Sequence, residues 1–180
     1  MLQLCVSLRN LYTVDRSKSL SVGTTYYLES GKLNSKDAQY LNQGFSEGLP
    51  KHGESYLLLK MQGNVEPQVG LRNAMMLEML FENIRSTKYA YRPSRLQSMF
   101  AVDSLDSAKK FVTGQADIPI YRVEAQIVFK ADMNLLNSGG GGLSTLKFCE
   151  LYWLGQPHPT REPFWEYLLR CPVTVCERVA

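Results

Sequence analysis

An acidic residue lies inside an apolar, strand-like segment near the end of the chain. Glu166 stands within residues 164–175, which are mostly aromatic and aliphatic. Burying an unpaired carboxylate costs on the order of several kcal/mol, so we expect Glu166 to face a cleft. A carboxylate in such a place can exchange a proton or stabilise a developing positive charge. The alternative without a functional role is an edge-strand carboxylate that faces solvent or pairs with Arg170.

Other catalytic arrangements have weaker support. The chain has two histidines, His52 and His158, and both stand in polar segments that we expect to be loops, so no Ser/His/Asp triad can be assembled with them. No His/Cys/Asp/Glu set has metal-ligand spacing, and we predict no metal site. Glu150 is the rival acid, but it lies in a segment with helical pattern, where Glu is usually a helix former.

Composition places the chain among ordinary globular proteins. Its length of 180 residues predicts one domain over residues 1–180. Its formal net charge of +3 does not by itself indicate a nucleic-acid-binding protein. The four cysteines fit no zinc pattern and are interpreted as free thiols. Because no apolar run approaches the roughly 20 residues of a membrane helix and no secretory signal is evident, we expect a cytoplasmic protein.

Periodicity predicts the elements that position these residues. Strands are expected at 11–16, 96–102, 120–129 and 164–169, the last resuming after Pro172 at 173–175. Helices are expected at 70–87 and 143–154, with a short one after Asp103 as its N-cap. In the first helix, positions 77, 80, 81 and 84 form the apolar face, and Glu78, Glu82 and Arg85 are placed off it.

Three segments resemble the motifs of a known superfamily. Residues 98–111, Ser-Met-Phe-Ala-Val-Asp-Ser-Leu-Asp-Ser-Ala-Lys-Lys-Phe, look like the second motif of ADP-ribosyltransferases of the diphtheria-toxin and poly(ADP-ribose) polymerase type. Residues 165–169, Trp-Glu-Tyr-Leu-Leu, are similar to their third motif, where the catalytic Glu begins the last strand. Tyr12-Thr13 stands where the first motif has Tyr-His or His-Gly. The chain as a whole resembles small uncharacterised bacterial proteins that share Tyr-x-Val-Asp-Arg, Pro-Ser-Arg-x-x-Ser-x-Phe-Ala, Phe-Lys-Ala-Asp-Met-Asn-Leu-Leu and Phe-Trp-Glu-Tyr-Leu-Leu.

The resemblance implies an α+β, ADP-ribosyltransferase-like fold in which two small antiparallel sheets form a cleft flanked by helices. NAD would be the substrate, and Glu166 would stabilise the cation that forms when the ribose–nicotinamide bond breaks. The cofactor-binding residues that the resemblance implies are Tyr12, Thr13, Arg16, Arg95, Ser98 and Phe100. Arg95, or Arg92 beside it, would clamp the pyrophosphate because a guanidinium matches phosphate oxygens, although two arginines in a loop are more commonly solvated.

Each remaining cofactor-binding residue has an implied contact. Arg16 is the second candidate for phosphate, and Ser98 would brace the carboxylate or contact the ribose. Thr13 replaces the first-motif His, and its hydroxyl can hydrogen-bond a ribose. Phe100 or Tyr12 would stack on nicotinamide.

The expected function is transfer of ADP-ribose from NAD to a protein or nucleic-acid acceptor, in a bacterial toxin, effector or phage-defence protein. Such a protein would act in the cytoplasm of its own or a target cell and would have an antitoxin or immunity partner, with no membrane contact. One alternative is a non-catalytic domain of the same fold that binds NAD, ADP-ribose or a nucleic-acid end. Another is an interaction protein with no small ligand.

Overall fold

The fold is that of a computed structural model, which describes residues 10–29, 43–58, 69–114, 117–136 and 141–180. In chain order, the strands are β1 (Leu11–Val14), β2 (Thr25–Tyr26), β3 (Ser98–Ala101), β4 (Ile120–Asp132) and β5 (Trp165–Arg178). The helices that position the site are α1 (Lys51–Leu58), α2 (Val69–Lys88), α3 (Leu105–Lys110) and α4 (Gly142–Leu154). Short 3-10 turns occupy Arg95–Gln97 and Met133–Leu135. The protein is therefore α+β, as expected.

All of these strands belong to one antiparallel sheet, in contrast to the two sheets that we expected. The long strand β5 pairs with β4 along one edge, while its other edge pairs first with β3 and then with β2. Three register shifts interrupt the β4–β5 pairing, and bulges of this kind bend a sheet and increase its twist. Because β4 and β5 are long, each of the other strands pairs with one of these two.

The sheet curls strongly. Strand β1 pairs with the outer edge of β4, yet Tyr12 also exchanges two backbone hydrogen bonds of 2.9 Å with Val102, which follows β3 on the other side of β5. Inside the curl lies an apolar cluster that includes Leu11, Val123 and Leu169. The opposite face of β5 packs against α2 and α4 in a second cluster, where the fully buried Trp153 donates from Nε1 to the Phe81 carbonyl at 3.0 Å.

Several local predictions are confirmed. The helices predicted at 70–87 and 143–154 are α2 and α4, and the strand predicted at 120–129 is β4, which continues to Asp132. The predicted cap of the short helix was wrong by one residue. Ser104 is the cap, since its Oγ accepts from the Ser107 amide at 3.1 Å, whereas the carboxylate of Asp103 accepts from the Tyr167 hydroxyl at 2.8 Å. The strand predicted at 96–102 is shorter because the turn Arg95–Gln97 precedes it.

Candidate functional site

Glu166 lies on the face of β5 that packs against the helices. Its neighbour Leu168, two residues along the same face, belongs to the helix-packed cluster, while Tyr167 and Leu169 point into the curl of the sheet. Glu166 is only 3% exposed, and its carboxylate forms an ion pair with the guanidinium of Arg95. It therefore neither faces solvent nor pairs with Arg170, which is exposed. The strand that carries it is the central strand of the sheet rather than an edge strand.

Arg95 is held between two carboxylates. It lies on the 3-10 turn that precedes β3, and its side chain is buried. Its Nε and Nη2 atoms each donate to one carboxylate oxygen of Glu78 at 2.9 Å, in the two-point geometry that a guanidinium favours. Its Nη1 atom donates to Glu166. The three nitrogens of this guanidinium are thus already engaged, and none is presented to a cleft as the phosphate-clamp expectation required.

Tyr152 completes the arrangement from helix α4. Its hydroxyl accepts from Arg95 Nη1 and donates to Glu166 Oε1 at 2.6 Å. Burial raises the pKa of this phenol well above its usual value, so the hydroxyl keeps its proton. We call Glu78, Arg95, Tyr152 and Glu166 the charge cluster. Each comes from a different element, namely α2, the 3-10 turn, α4 and β5.

The pKa values of the two carboxylates in the charge cluster are shifted in opposite directions. Burial alone would raise the pKa of Glu78, but the attraction and hydrogen bonds of Arg95 lower it below the usual value. Burial raises the pKa of Glu166 and outweighs the opposing effects of Arg95 and the Tyr152 hydroxyl. The difference follows from geometry, because Glu78 receives two guanidinium hydrogen bonds and Glu166 receives one. Glu78 is the fixed counter-ion of Arg95, and Glu166 is the carboxyl suited to exchange a proton.

Aromatic rings form the side of the charge cluster next to helix α1. The guanidinium carbon of Arg95 lies 4.6 Å from the centre of the Phe100 ring, within cation–π range. The ring of His52 lies 4.7 Å from that of Phe100 and 4.8 Å from that of Tyr56. His52 therefore belongs to helix α1 and to the edge of this site, and its predicted position in a loop was wrong.

His52 has an unused polar atom beside the charge cluster. Its Nε2 is buried and has no hydrogen-bond partner, and it lies 3.8 Å from Glu78 Oε1. Burial lowers the pKa of His52 to about 4, against the opposing attraction of Glu78, so the ring is neutral at pH 7. Helix α1 approaches the turn Arg95–Gln97 closely at Gly53, where an added Cβ would lie 2.0 Å from the Leu96 carbonyl oxygen. Only glycine permits this contact with the turn that carries Arg95.

The other predicted site residues divide into two groups. Thr13 and Ser98 are buried, and their hydroxyls donate to the carbonyls of Phe100 at 2.8 Å and of Ser94 at 2.7 Å. They brace the backbone beside the charge cluster. Tyr12 packs instead with the cluster around α3, and the exposed Arg16 donates to the Phe111 carbonyl at 3.3 Å. The structure thus brings Arg95, Phe100 and Glu166 into contact and leaves Tyr12 and Arg16 outside that contact.

Three members of this site were not predicted from the sequence. Glu78 was placed off the apolar face of its helix, yet it is 9% exposed and buried against Arg95. Tyr152 stands in an aromatic run that reads as core, and His52 in a polar segment. An acidic residue next to an apolar helix face was the one signal available for Glu78. The rival acid Glu150 lies on helix α4, as predicted, and its carboxylate accepts from Lys88 at 2.8 Å as an ordinary surface pair.

Comparison with known proteins identifies the family of the chain. A family model described as a protein of unknown function (DUF2441) matches residues 11–180, and the chain belongs to that family. No curated protein matches it. Within the described ranges, no group of three or more His, Cys, Asp or Glu side chains is placed to hold a metal ion. No helix in the same ranges has both the length and the apolar character needed to cross a membrane.

Proposed function

We propose that this protein transfers ADP-ribose from NAD to a macromolecular acceptor, a protein or a nucleic acid, with Glu166 as the catalytic carboxylate. One observation carries the proposal. Phe100, from the segment that resembles the second motif, packs on Arg95, and Arg95 pairs with Glu166, from the segment that resembles the third. Arg95 and Glu166, 71 positions apart in sequence, thus meet at the carboxylate.

The chemistry suits a carboxylate of raised pKa. As the bond between the ribose and nicotinamide breaks, its electron pair leaves with nicotinamide and the sugar gains oxocarbenium character. An ionised Glu166 would stabilise this cation, and the same group would then accept the proton that the acceptor hydroxyl or amine loses on attack. Phe100 and Tyr56 supply aromatic faces beside the charge cluster for a nicotinamide ring. Arg95 is a positioning residue in this scheme.

Nicotinamide release tests the proposal. Purified protein is incubated with NAD and an acceptor extract, and released nicotinamide is measured by chromatography. We expect release by the natural protein, loss of release in Glu166→Gln, and no change in Glu150→Gln, which alters a surface glutamate of the helix that also carries Tyr152. Equal release by the folded Glu166→Gln variant would contradict the assignment of Glu166.

A second candidate is binding of NAD or ADP-ribose without turnover. The observation in its favour is the burial of the charge cluster: Glu166 is 3% exposed, and its Oε1 already accepts two hydrogen bonds from protein donors. The hydroxyls of Thr13 and Ser98 are likewise engaged with backbone. Calorimetric binding of NAD without nicotinamide release would favour this candidate. Absence of both binding and release would exclude both candidates.

A further inference from the structure

A cavity of about 440 Å³ lies beside the turn that carries Arg95. Its lining includes Arg85, Arg92 and Arg170, with Glu47, Gln97 and Cys171. Arg170 follows Glu166 by four residues on the same strand, so their Cα atoms are about 13 Å apart. Ser94 and Ser98, on either side of the turn, also line the cavity, but no member of the charge cluster does. Its volume lies within the range of roughly 300–1,000 Å³ that small-molecule sites occupy.

The three arginines differ in how their charges are used. Arg85 is neutralised by Glu82, to which Nε and Nη2 donate at 2.7–3.1 Å, and its Nη1 donates to the Arg92 carbonyl at 3.0 Å. Arg92 donates from Nε to the Trp153 carbonyl at 3.1 Å, and its guanidinium carbon lies 4.5 Å from the centre of the Phe129 ring. Both arginines are thus held in place at the cavity wall by bonds to protein atoms.

Within the described residues, the positive charges of Arg92 and Arg170 have no ion-pair partner. No carboxylate in the described part of the chain forms an ion pair with either of them. Glu47 is the acidic residue of the lining, and it is exposed. Two guanidinium groups that line one cavity without counter-ions favour a ligand with two negative charges. A terminal phosphate provides these charges together with oxygens that match the guanidinium fork.

We infer that this cavity binds the terminal phosphate of a nucleotide-sized ligand. Arg92, fixed by Trp153 and Phe129, presents its free guanidinium edge to the phosphate, and Arg170 contributes the second cation from β5. Leu28 and Val128 add apolar surface to the lining, against which the non-phosphate part of the ligand packs. The inference does not depend on the proposed function, because it rests on Arg92 and Arg170, which have no role in the proposed transfer at Glu166, and because it concerns binding alone.

Calorimetric titration with uridine 5′-monophosphate, uridine and inorganic phosphate tests the inference. A pyrimidine nucleotide is chosen because it shares no base with NAD. We expect the monophosphate to bind, uridine to bind at least about tenfold more weakly, and Arg170→Gln to weaken monophosphate binding by about tenfold or more. Arg178→Gln is the matched control, since it removes an exposed charge from the same strand outside the cavity. Glu166→Gln should bind like the natural protein.

Other results would overturn the inference. These are equal affinity for uridine and its monophosphate, unchanged binding in Arg170→Gln, or no heat of binding at millimolar monophosphate. A comparable loss in Arg178→Gln would likewise contradict it, because it would indicate a general charge effect rather than a site. Inorganic phosphate distinguishes the source of the interaction: we expect it to compete with the monophosphate in the natural protein, and absence of competition would count against a phosphate site.

Discussion

The two faces of strand β5 are stabilised in different ways. On the face inside the curled sheet, Leu169 and Val173 pack among other strand residues in an apolar cluster. On the face toward the helices, Leu168 packs in the same manner, but Glu166 two residues earlier belongs to the charge cluster. One strand therefore shows both apolar packing and a buried network of charges.

The apolar face shows that β5 can be held without charges. A buried ion pair carries a desolvation penalty, and apolar replacement of a whole network is often neutral or stabilising by about 1–4 kcal/mol. The charge cluster is thus poorly explained as a device for stability. Departures from local packing rules tend to gather at functional sites, and the contrast between the two faces directs attention to Glu166.

Breaking the charge cluster at its centre should have the largest effect. Arg95→Met leaves two buried carboxylates without their counter-ion, and we expect the free energy of unfolding at neutral pH to fall by about 3–5 kcal/mol. Denaturant unfolding measures this change. Since protonation relieves unpaired carboxylates, the deficit should shrink as the pH falls toward about 4. Arg178→Met, at the exposed end of β5, is the control, and an equal loss there would remove the distinction.

The apolar face should respond to truncation without pH dependence. Leu169→Ala removes a fully buried side chain and should lower the free energy of unfolding by about 2–5 kcal/mol through lost burial and a cavity. Because no titrating group is involved, this loss should be the same at about pH 5 and about pH 8. A loss that varies with pH as strongly as that of Arg95→Met would show that the two faces are coupled.

The two carboxylates should differ from each other when each is made an amide. At Glu78 the amide removes a carboxylate that accepts two hydrogen bonds from Arg95, whereas at Glu166, whose pKa burial raises, it removes one that accepts a single hydrogen bond from Arg95. We therefore expect Glu78→Gln to be less stable than Glu166→Gln by about 2 kcal/mol. Thermal and urea unfolding of the two variants in one buffer measures the difference. A lower free energy of unfolding for Glu166→Gln than for Glu78→Gln would contradict the opposite pKa shifts of the two carboxylates.

His52 should add a smaller pH-dependent term. Its pKa is about 4 in the folded protein and 6.5 in the unfolded chain, so the unfolded chain takes up the proton first. Stability contributed by this residue is therefore present above about pH 6.5 and lost as the pH falls toward about 4. With its partial exposure taken into account, His52→Gln should remove about 1 kcal/mol of that loss. His158→Gln is the control, and equal profiles for natural and His52→Gln proteins would contradict the expectation.

Local pattern was sufficient for much of the fold. The amphipathic repeat of α2 and the alternation of β4 are properties of neighbouring residues, and both elements lie where periodicity placed them. The single curled sheet was not predictable in this way. It depends on bulges between β4 and β5 and on the pairing of Tyr12 with Val102, which are relations between distant segments.

The site was predictable only in part, and for a physical reason. Glu166 was visible because an acidic residue in an apolar strand violates a local expectation. Its pairing was not, because Arg95, although predicted as a cofactor-binding residue, lies 71 residues from Glu166 in sequence. Glu78 was misplaced because periodicity separates apolar from polar positions and carries no information about a buried counter-charge across the interface.

The most direct test measures stability and turnover together in Glu166→Gln. We predict that this variant folds, with a free energy of unfolding within about 2 kcal/mol of that of the natural protein, and that it loses nicotinamide release from NAD. Such a separation would show that the carboxylate of Glu166 serves chemistry rather than folding. A folded variant that releases nicotinamide as fast as the natural protein, or a natural protein that releases none, would contradict the account.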